Sequence, residues 1–486
     1  MQTIKASQGA GHIGIVHLGL GAFHRAHQAV YLERYRDRTG DTQWGVSAAN
    51  LRRSVELVDA LKGANYRYHV AEYRDSDTVT LREVGAIEEA LFTGQAQDQR
   101  WGRDLDALLK RLCAADTRIV TLTVTEKGYF LNPASGELLQ SDPMIQADIE
   151  SPNAPRTAPG ILVEALKRRR AAGTAPFTVL CCDNMPDNGQ RTRQAVAQLA
   201  RRQDADLADW ILEHVAFPCS MVDRIVPAMT GQDFEALERL GVSDPNAVVC
   251  EAFSQWVVED HFPLGRPSWE EEGVTMVADV APFETMKLRM LNGSHSLLAY
   301  LGALDDIETV FDAVSKPAFK TLLRRYMNEE AAPTLSMPEE IDLDAYAESL
   351  IARFANDSLR HRLQQIAMDG SQKLPQRWLQ VVEANLAAGR ESACVALGLA
   401  GWIRYTQGST LSGQRFSVDD PLAGQLEALH QRHGEDATAL VDAFFGLDAV
   451  MPEALARNDD FKRDVLNAYH ALTEHGVEHA LAHLDR

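Results

Sequence analysis

An α/β fold with a mainly parallel sheet, followed by a mainly α-helical C-terminal domain, is predicted by three observations. Short, apolar, β-branched runs alternate with helical patterns through the first half of the chain, a Gly-x-Gly follows the first such run, and the pattern beyond about residue 281 is helical almost throughout. IGIVHLG (13–19), WGVSAAN (44–50), RIVTLTV (118–124) and FTVLCCD (177–183) predict strands. Between them, LDALLKRLCAAD and ILVEALKRRRAAG have helical spacing, so successive strands run parallel with helices on both faces of the sheet. TVTLREVGAIEEAL (78–91) predicts an extra strand that turns into a short helix. SHSLLAYLGAL, KPAFKTLLRRYMNEE, LDAYAESLIARFA and SACVALGLAGWIRYTQ predict the later helices, and the domain boundary falls near Pro282, giving domains 1–281 and 282–486.

With 486 residues, 45% hydrophobic and 24% charged, the chain has the make-up of an ordinary globular protein and the length for two or three domains. A formal net charge of −21, with no long Lys/Arg run, argues against nucleic acid or an anionic membrane as partner. The opening MQTIKASQGAGHIGIV lacks a signal-peptide pattern and no apolar run reaches the length of a membrane span. The expectation is therefore a cytoplasmic protein, a monomer or small homo-oligomer, acting on a small molecule. Cys113, Cys181, Cys182, Cys219, Cys250 and Cys394 are scattered without a CxxC, and no HExxH occurs, so reduced thiols and no metal site are expected.

HLGLGAFHRAHQA places Gly19 and Gly21 where the first two glycines of a dinucleotide-binding G-x-G-x-x-G belong, with Ala22 and Phe23 opening the next helix. Gly19 permits the tight turn, and Gly21 lets backbone N–H groups approach a pyrophosphate, so the first domain reads as Rossmann-type. His24 in place of the third glycine implies a looser helix-to-strand approach. The second strand ends in Asn50, Leu51, Arg52, Arg53 and Ser54, with no carboxylate for a ribose diol until Glu56. Arg52 or Arg53 either meets a 2′-phosphate or is solvated.

In ETMKLRMLNGSHS (284–296), α-helical spacing sets Asn292 about 140° and His295 about 80° round from Lys287, on one broad face shared with Leu288 and Leu291. Polar groups on such a face serve either as satisfied core residues or as an acid/base site.

GLGAFHRAHQ, TLTVTEKGY, CCDNMPDNG, SMVDRIVP, KLRMLNGSHS and DGSQKLPQR together resemble the polyol-specific long-chain dehydrogenases, the mannitol dehydrogenase and fructuronate reductase family, over roughly residues 13–480. The resemblance implies an N-terminal Rossmann-type domain carrying NAD, with NADP possible, a helical C-terminal domain for the substrate, and chemistry without zinc. It implies Lys287 as general base in alcohol oxidation and general acid in ketone reduction, a role that needs a neutral amine favoured by desolvation. Asn292 and Asn184 match two amides that donate to the developing alkoxide; Asn188 shares Asn184's loop, and spacing does not separate them. His295 matches the residue that positions the reacting hydroxyl. Asp223 resembles a substrate-domain contact and Glu126 a proton relay; capping or salt bridging are the structural alternatives.

Mannitol-type members resemble TEGGY, KxGLLNGSH and an Arg eight residues before the DGSxK lysine. This chain has TEKGY, KLRMLNGSH and Gln365. Fructuronate reductases resemble TEKGY, KLRMLNGSHS and QIAMDGSQKLPQR, which points to interconversion of D-mannonate and D-fructuronate, with a mannitol or arabinitol 2-dehydrogenase as the alternative. A non-catalytic dinucleotide sensor would have no use for Lys287. A carboxylate substrate gains from a nearby cation: Lys127, Arg289, Lys373 and Arg377 are candidates, with Lys127 and Lys373 preferred and Arg289 placed about 200° round from Lys287.

Overall fold

The computed structural model describes residues 2–484 apart from 8, 10, 53, 96–100, 133, 134 and 359, and the chain divides into two compact units, Met1–Ala281 and Pro282–Arg486. The first is built on five strands, β1 (Ile13–Leu18), β2 (Gly45–Asn50), β3 (Ile87–Phe92), β4 (Ile119–Leu122) and β5 (Thr178–Cys181), all parallel, in the order β3-β2-β1-β4-β5. This is the nucleotide-binding order of a doubly wound sheet, whose ligand crevice lies at the carboxyl ends of the strands where the order reverses, next to β1. The strands are buried on both faces, which explains their continuous apolar runs. Val16, Leu18, Val120, Leu122 and Val179 pack on one side with Leu108, Leu112, Ile161, Leu166, Val196 and Leu199 of the helices Leu105–Cys113, Ala158–Ala171 and Asn188–Gln203. Ile15, Val46, Ala48 and Leu180 face the opposite core, with Val30 and Leu32 of the helix Gln28–Thr39 and with Val70, Val248 and Trp256.

The segment 78–91 departs from the sequence expectation. It forms two strands and no helix: Val79–Val84 pairs antiparallel with Tyr68–Tyr73, and Ile87–Phe92 is the edge strand β3. Glu88, Glu89, Ala90 and Leu91 carry helical propensity, but sheet position overrides it. Glu89 is tolerated there because its carboxylate accepts from Ser47 Oγ at 2.6 Å and pairs with Arg111 at 3.1 Å. Two smaller sheets were not anticipated. One orders Gln2–Ile4, Val79–Val84, Tyr68–Tyr73 and Val248–Glu251; the other Thr275–Val277, Gln255–Glu259 and Ser220–Asp223.

The second unit is helical. Gly293–Leu304 packs on Ala393–Tyr405, where Gly398 permits the approach, since a Cβ there would lie 2.6 Å from Leu297 Cδ2. Among the described residues, three short π-helical segments interrupt the α-helices, at Lys287–Asn292, Tyr326–Ala331 and Pro375–Leu379, and the first packs against the other two. Among the described residues no helix is long and apolar enough to cross a membrane.

Candidate active site

Gly19 ends β1 with φ +105°, and a Cβ there would overlap the carbonyl of Thr123. No other residue type meets both conditions without strain. Gly21 stands in extended backbone before the single helical turn Ala22–Ala26, and among the described residues Gly19 O, at 3.7 Å, is the only atom within 4 Å of its missing Cβ. The chain kinks at His27 before the longer helix Gln28–Thr39 begins. His24 does not leave a gap: its ring stacks on that of His17 with centroids 3.5 Å apart. Thr123 donates its hydroxyl to Gly19 O at 2.9 Å, so neutral His17 donates from Nε2 to Thr123 Oγ1 and accepts at Nδ1 from Thr121. Burial pushes the His17 pKa down to about 3, and burial beside His17 holds His24 well below the usual imidazole range.

A cleft opens over this turn, lined by Gly19, Asn50, Arg52, Thr123, Phe130, Arg156 and Thr157 among others. Asn50 ties the end of β2 to the glycine turn, donating from Nδ2 to Leu20 O at 3.2 Å. The exposed Arg52 guanidinium lies 5.6 Å from the Phe130 ring centroid. Arg53 falls outside the described residues. No carboxylate lines the cleft among the described residues, and a second cation, Arg156, does. Sequence reading missed Arg156. Its only signal was its place just before Thr157, which caps the helix Ala158–Ala171 by accepting from Gly160 N at 3.0 Å.

Glu126 and Lys127 are exposed on a 3-10 turn, Glu126–Tyr129. Asp183 holds that turn: its carboxylate accepts from Val124 N and Thr125 N at 2.9 Å and from Tyr129 Oη at 2.6 Å. Burial pushes the Asp183 carboxyl above its ordinary range, against these hydrogen bonds. Thr125 has φ +65°, an uncommon conformation of the kind that collects at functional turns. The neighbouring Asn184 is exposed. Asn188 has a different task. Fully buried, its Nδ2 donates to Asp183 O at 3.0 Å and Ser220 O at 2.7 Å while its Oδ1 accepts from Ser220 N at 2.9 Å, so its amide is occupied by backbone. Asp223 is buried at the end of the strand Ser220–Asp223.

In the helical unit, Lys287 is buried, with 7% of its surface exposed. The π geometry of Lys287–Asn292 alters the angles expected from α-helical spacing. An i→i+5 turn sets residues five apart nearly one above the other, so Asn292 moves toward the Lys287 face. A π turn also leaves carbonyls without their usual partners, and side chains supply them. Tyr326 Oη donates to Arg289 O at 2.6 Å, Trp378 Nε1 to Gly293 O at 3.1 Å, and Arg377 Nη1 to Asn292 O at 3.3 Å. His295 is half-buried, its ring 4.7 Å from Phe354 and 5.7 Å from His361 by centroids. Burial holds it well below the usual imidazole range, aided by His361, Arg377, Arg353 and Lys287. It is therefore a neutral donor or acceptor near pH 7.

The candidate cations differ in their surroundings. Arg289 donates to Thr334 O at 2.9 Å and to Thr334 Oγ1 at 2.8 Å. Lys373 donates to Met368 O at 2.5 Å and lies 4.0 Å from Asp369. Arg377 meets no carboxylate among the described residues. No group of three or more His, Cys, Asp or Glu side chains among the described residues is arranged to hold a metal ion.

Residues 13–271 match the mannitol dehydrogenase Rossmann domain and residues 279–473 the mannitol dehydrogenase C-terminal domain. D-mannonate oxidoreductase of Escherichia coli (strain K12) is 47% identical over 97% of this chain and 95% of its own length. The Pseudomonas fluorescens mannitol 2-dehydrogenase, solved as a ternary complex with NAD and D-mannitol, is 35% identical with a TM-score of 0.81, over 99% of this chain and 96% of that one. A D-sorbitol dehydrogenase in substrate-free form is 32% identical with a TM-score of 0.89, over 99% and 97%. The chain belongs to the mannitol dehydrogenase family.

Proposed function

We propose that this chain interconverts D-fructuronate and D-mannonate with a nicotinamide dinucleotide. Reduction transfers a hydride from the reduced cofactor to the ketone carbon and a proton to its oxygen; oxidation reverses both. The observation that carries the reading is the buried Lys287 on a π turn that brings Asn292 toward its face, in a chain 47% identical to a D-mannonate oxidoreductase. Lys287 serves as general acid in reduction and general base in oxidation. The amides of Asn292 and Asn184 donate to the oxygen as charge grows on it. Neutral His295 orients the reacting hydroxyl, Glu126 relays protons, and Asp223 and Lys127 serve the substrate. The Met1–Ala281 unit carries the dinucleotide at Gly19, Gly21, Ala22, Phe23, Asn50 and Arg52. NAD is the cofactor of the solved mannitol 2-dehydrogenase complex, and Arg52 with Arg156 in a cleft without carboxylates favours some use of NADP as well.

A second reading, oxidation of an uncharged polyol, is supported by the structural likeness to the mannitol enzyme. The experiment that separates the two follows the loss of NADH and, in parallel, of NADPH absorbance with fructuronate, tagaturonate, fructose and xylulose. Highest kcat/KM on fructuronate supports the proposal, highest on fructose replaces it with the polyol reading, and turnover of none excludes both.

A further inference from the structure

Among the cations considered for the substrate, Arg377 is the one held against the carbonyl of Asn292. Its Nη1 is fixed against the segment that carries the acid/base motif, donating to Ser296 Oγ at 3.0 Å and to Asn292 O at 3.3 Å. Its Nε and Nη2 make no hydrogen bond within the protein among the described residues, and no carboxylate pairs with it. Burial nonetheless presses its pKa downward. Lys373, the neighbour preferred from sequence, is engaged by the Met368 carbonyl and Asp369; Arg289 likewise meets no carboxylate among the described residues and has a buried Nε without a partner, but its Nη1 is tied to Thr334. Arg377 also belongs to the positive field that His361, Arg353 and Lys287 share around His295.

A desolvated guanidinium without a counter-ion is unfavourable unless something supplies the anion. With Nη1 pinned, the remaining edge of the fork, Nε and Nη2, presents parallel donors matched to the two oxygens of a carboxylate. The geometry points to Arg377 as the receptor for the substrate's carboxylate, gripped bidentately by Nε and Nη2, an inference that rests on the sugar-acid reading above. In a six-carbon keto acid the carboxylate closes the end of the chain away from the ketone. Asn292 supplies both landmarks: its amide is assigned to the reacting oxygen, and its carbonyl anchors the guanidinium assigned to the far end. Arg377 would thus be a specificity residue, favouring acids over neutral ketoses.

The test compares Arg377→Met and Arg377→Lys with wild type on D-fructuronate and D-fructose, with NADH at one modest salt concentration. Arg377→Met is expected to lower the fructuronate-to-fructose ratio of kcat/KM by roughly 100-fold, because the carboxylate is left unpaired. Arg377→Lys keeps the charge but not the fork and is expected to recover only part of that ratio. A ratio within about threefold of wild type in both variants, with both substrates slowed alike, would overturn the assignment and leave Arg377 as a prop for the Asn292 carbonyl. If the Met variant does not fold, the Lys variant decides alone: a ratio lowered by roughly 10-fold supports the assignment and an unchanged one overturns it. Wild type preferring fructose is a different result, which removes the sugar-acid reading itself and the inference with it.

Discussion

Tyr326 donates its hydroxyl to the carbonyl of Arg289 at 2.6 Å, directly over Gly293, where any Cβ would overlap that hydroxyl. Hydrogen bond and glycine act together, since the phenol satisfies a carbonyl of the π turn only because residue 293 has no side chain. Tyr326→Phe should cost about 1–3 kcal/mol by leaving a carbonyl unpaired, and Gly293→Ala should cost at least as much by displacing the phenol. Chemical unfolding of both variants checks this; equal midpoints to wild type would show that the π turn does not depend on the bond.

Lys287→Ala should lower kcat by roughly 100- to 10,000-fold, the range for loss of a general acid/base. Dinucleotide affinity, followed by NADH fluorescence, should stay near wild type, because the glycine turn and its cleft are built from the Met1–Ala281 unit. Near-normal kcat in the variant would move the acid/base role elsewhere.

Arg52 and Arg156 share a cleft in which no carboxylate lies among the described residues. If they meet a 2′-phosphate, the Arg52→Ala/Arg156→Ala pair should reduce kcat/KM for NADPH at least roughly 10-fold more than for NADH, as expected for loss of charge-assisted contacts. An unchanged NADPH-to-NADH ratio would identify both as solvated side chains.

Burial places the His17 pKa near 3, against 6.5 in its ordinary state. The unfolded chain therefore takes up a proton at this residue as pH falls below about 6.5 while the folded chain does not. The stability contributed is full above that pH and is lost progressively on acidification toward 3. Between pH 6 and pH 5 the loss approaches about 1.4 kcal/mol per pH unit from this residue. Buried Asp183 and Asp148, whose pKa values burial raises, work in the opposite sense, so the comparison must be differential. The wild-type pH–stability slope should exceed that of His17→Gln by about that amount. Parallel slopes would contradict the assignment.

Much of the first unit was legible because strands buried on both faces must be continuously apolar, as in IGIVHL and RIVTLTV. β3 was not, because IEEALF spells helix locally and becomes strand only beside Ser47 and Arg111. The glycine turn could be read from Gly19 and Gly21, but what packs against His24 could not. Its packing depends on His17, seven residues earlier on the strand, and ring stacking has no signature in spacing. Asn184 and Asn188 were inseparable in sequence, and only the hydrogen bonds to Ser220 show that the second is structural. The π turn was invisible for a further reason: residue propensities rank helix against coil and do not count residues per turn.

That π turn gives the length of the segment a meaning its composition lacks. Removing a single residue between Lys287 and Asn292 would let the backbone relax into an uninterrupted α-helix, so the lesion would heal locally. Asn292 would then stand four residues and His295 seven residues from Lys287, about 40° and 20° round in α-helical spacing, so both would stay on its face. Such a deletion would keep the face of the motif and instead remove the wide turn whose carbonyls Tyr326, Arg377 and Trp378 hold. For this stretch, then, a one-residue gap in an otherwise similar chain is compatible with the same acid/base face, and the side chains that hold the carbonyls of the wide turn are the sharper sign of whether that turn is kept.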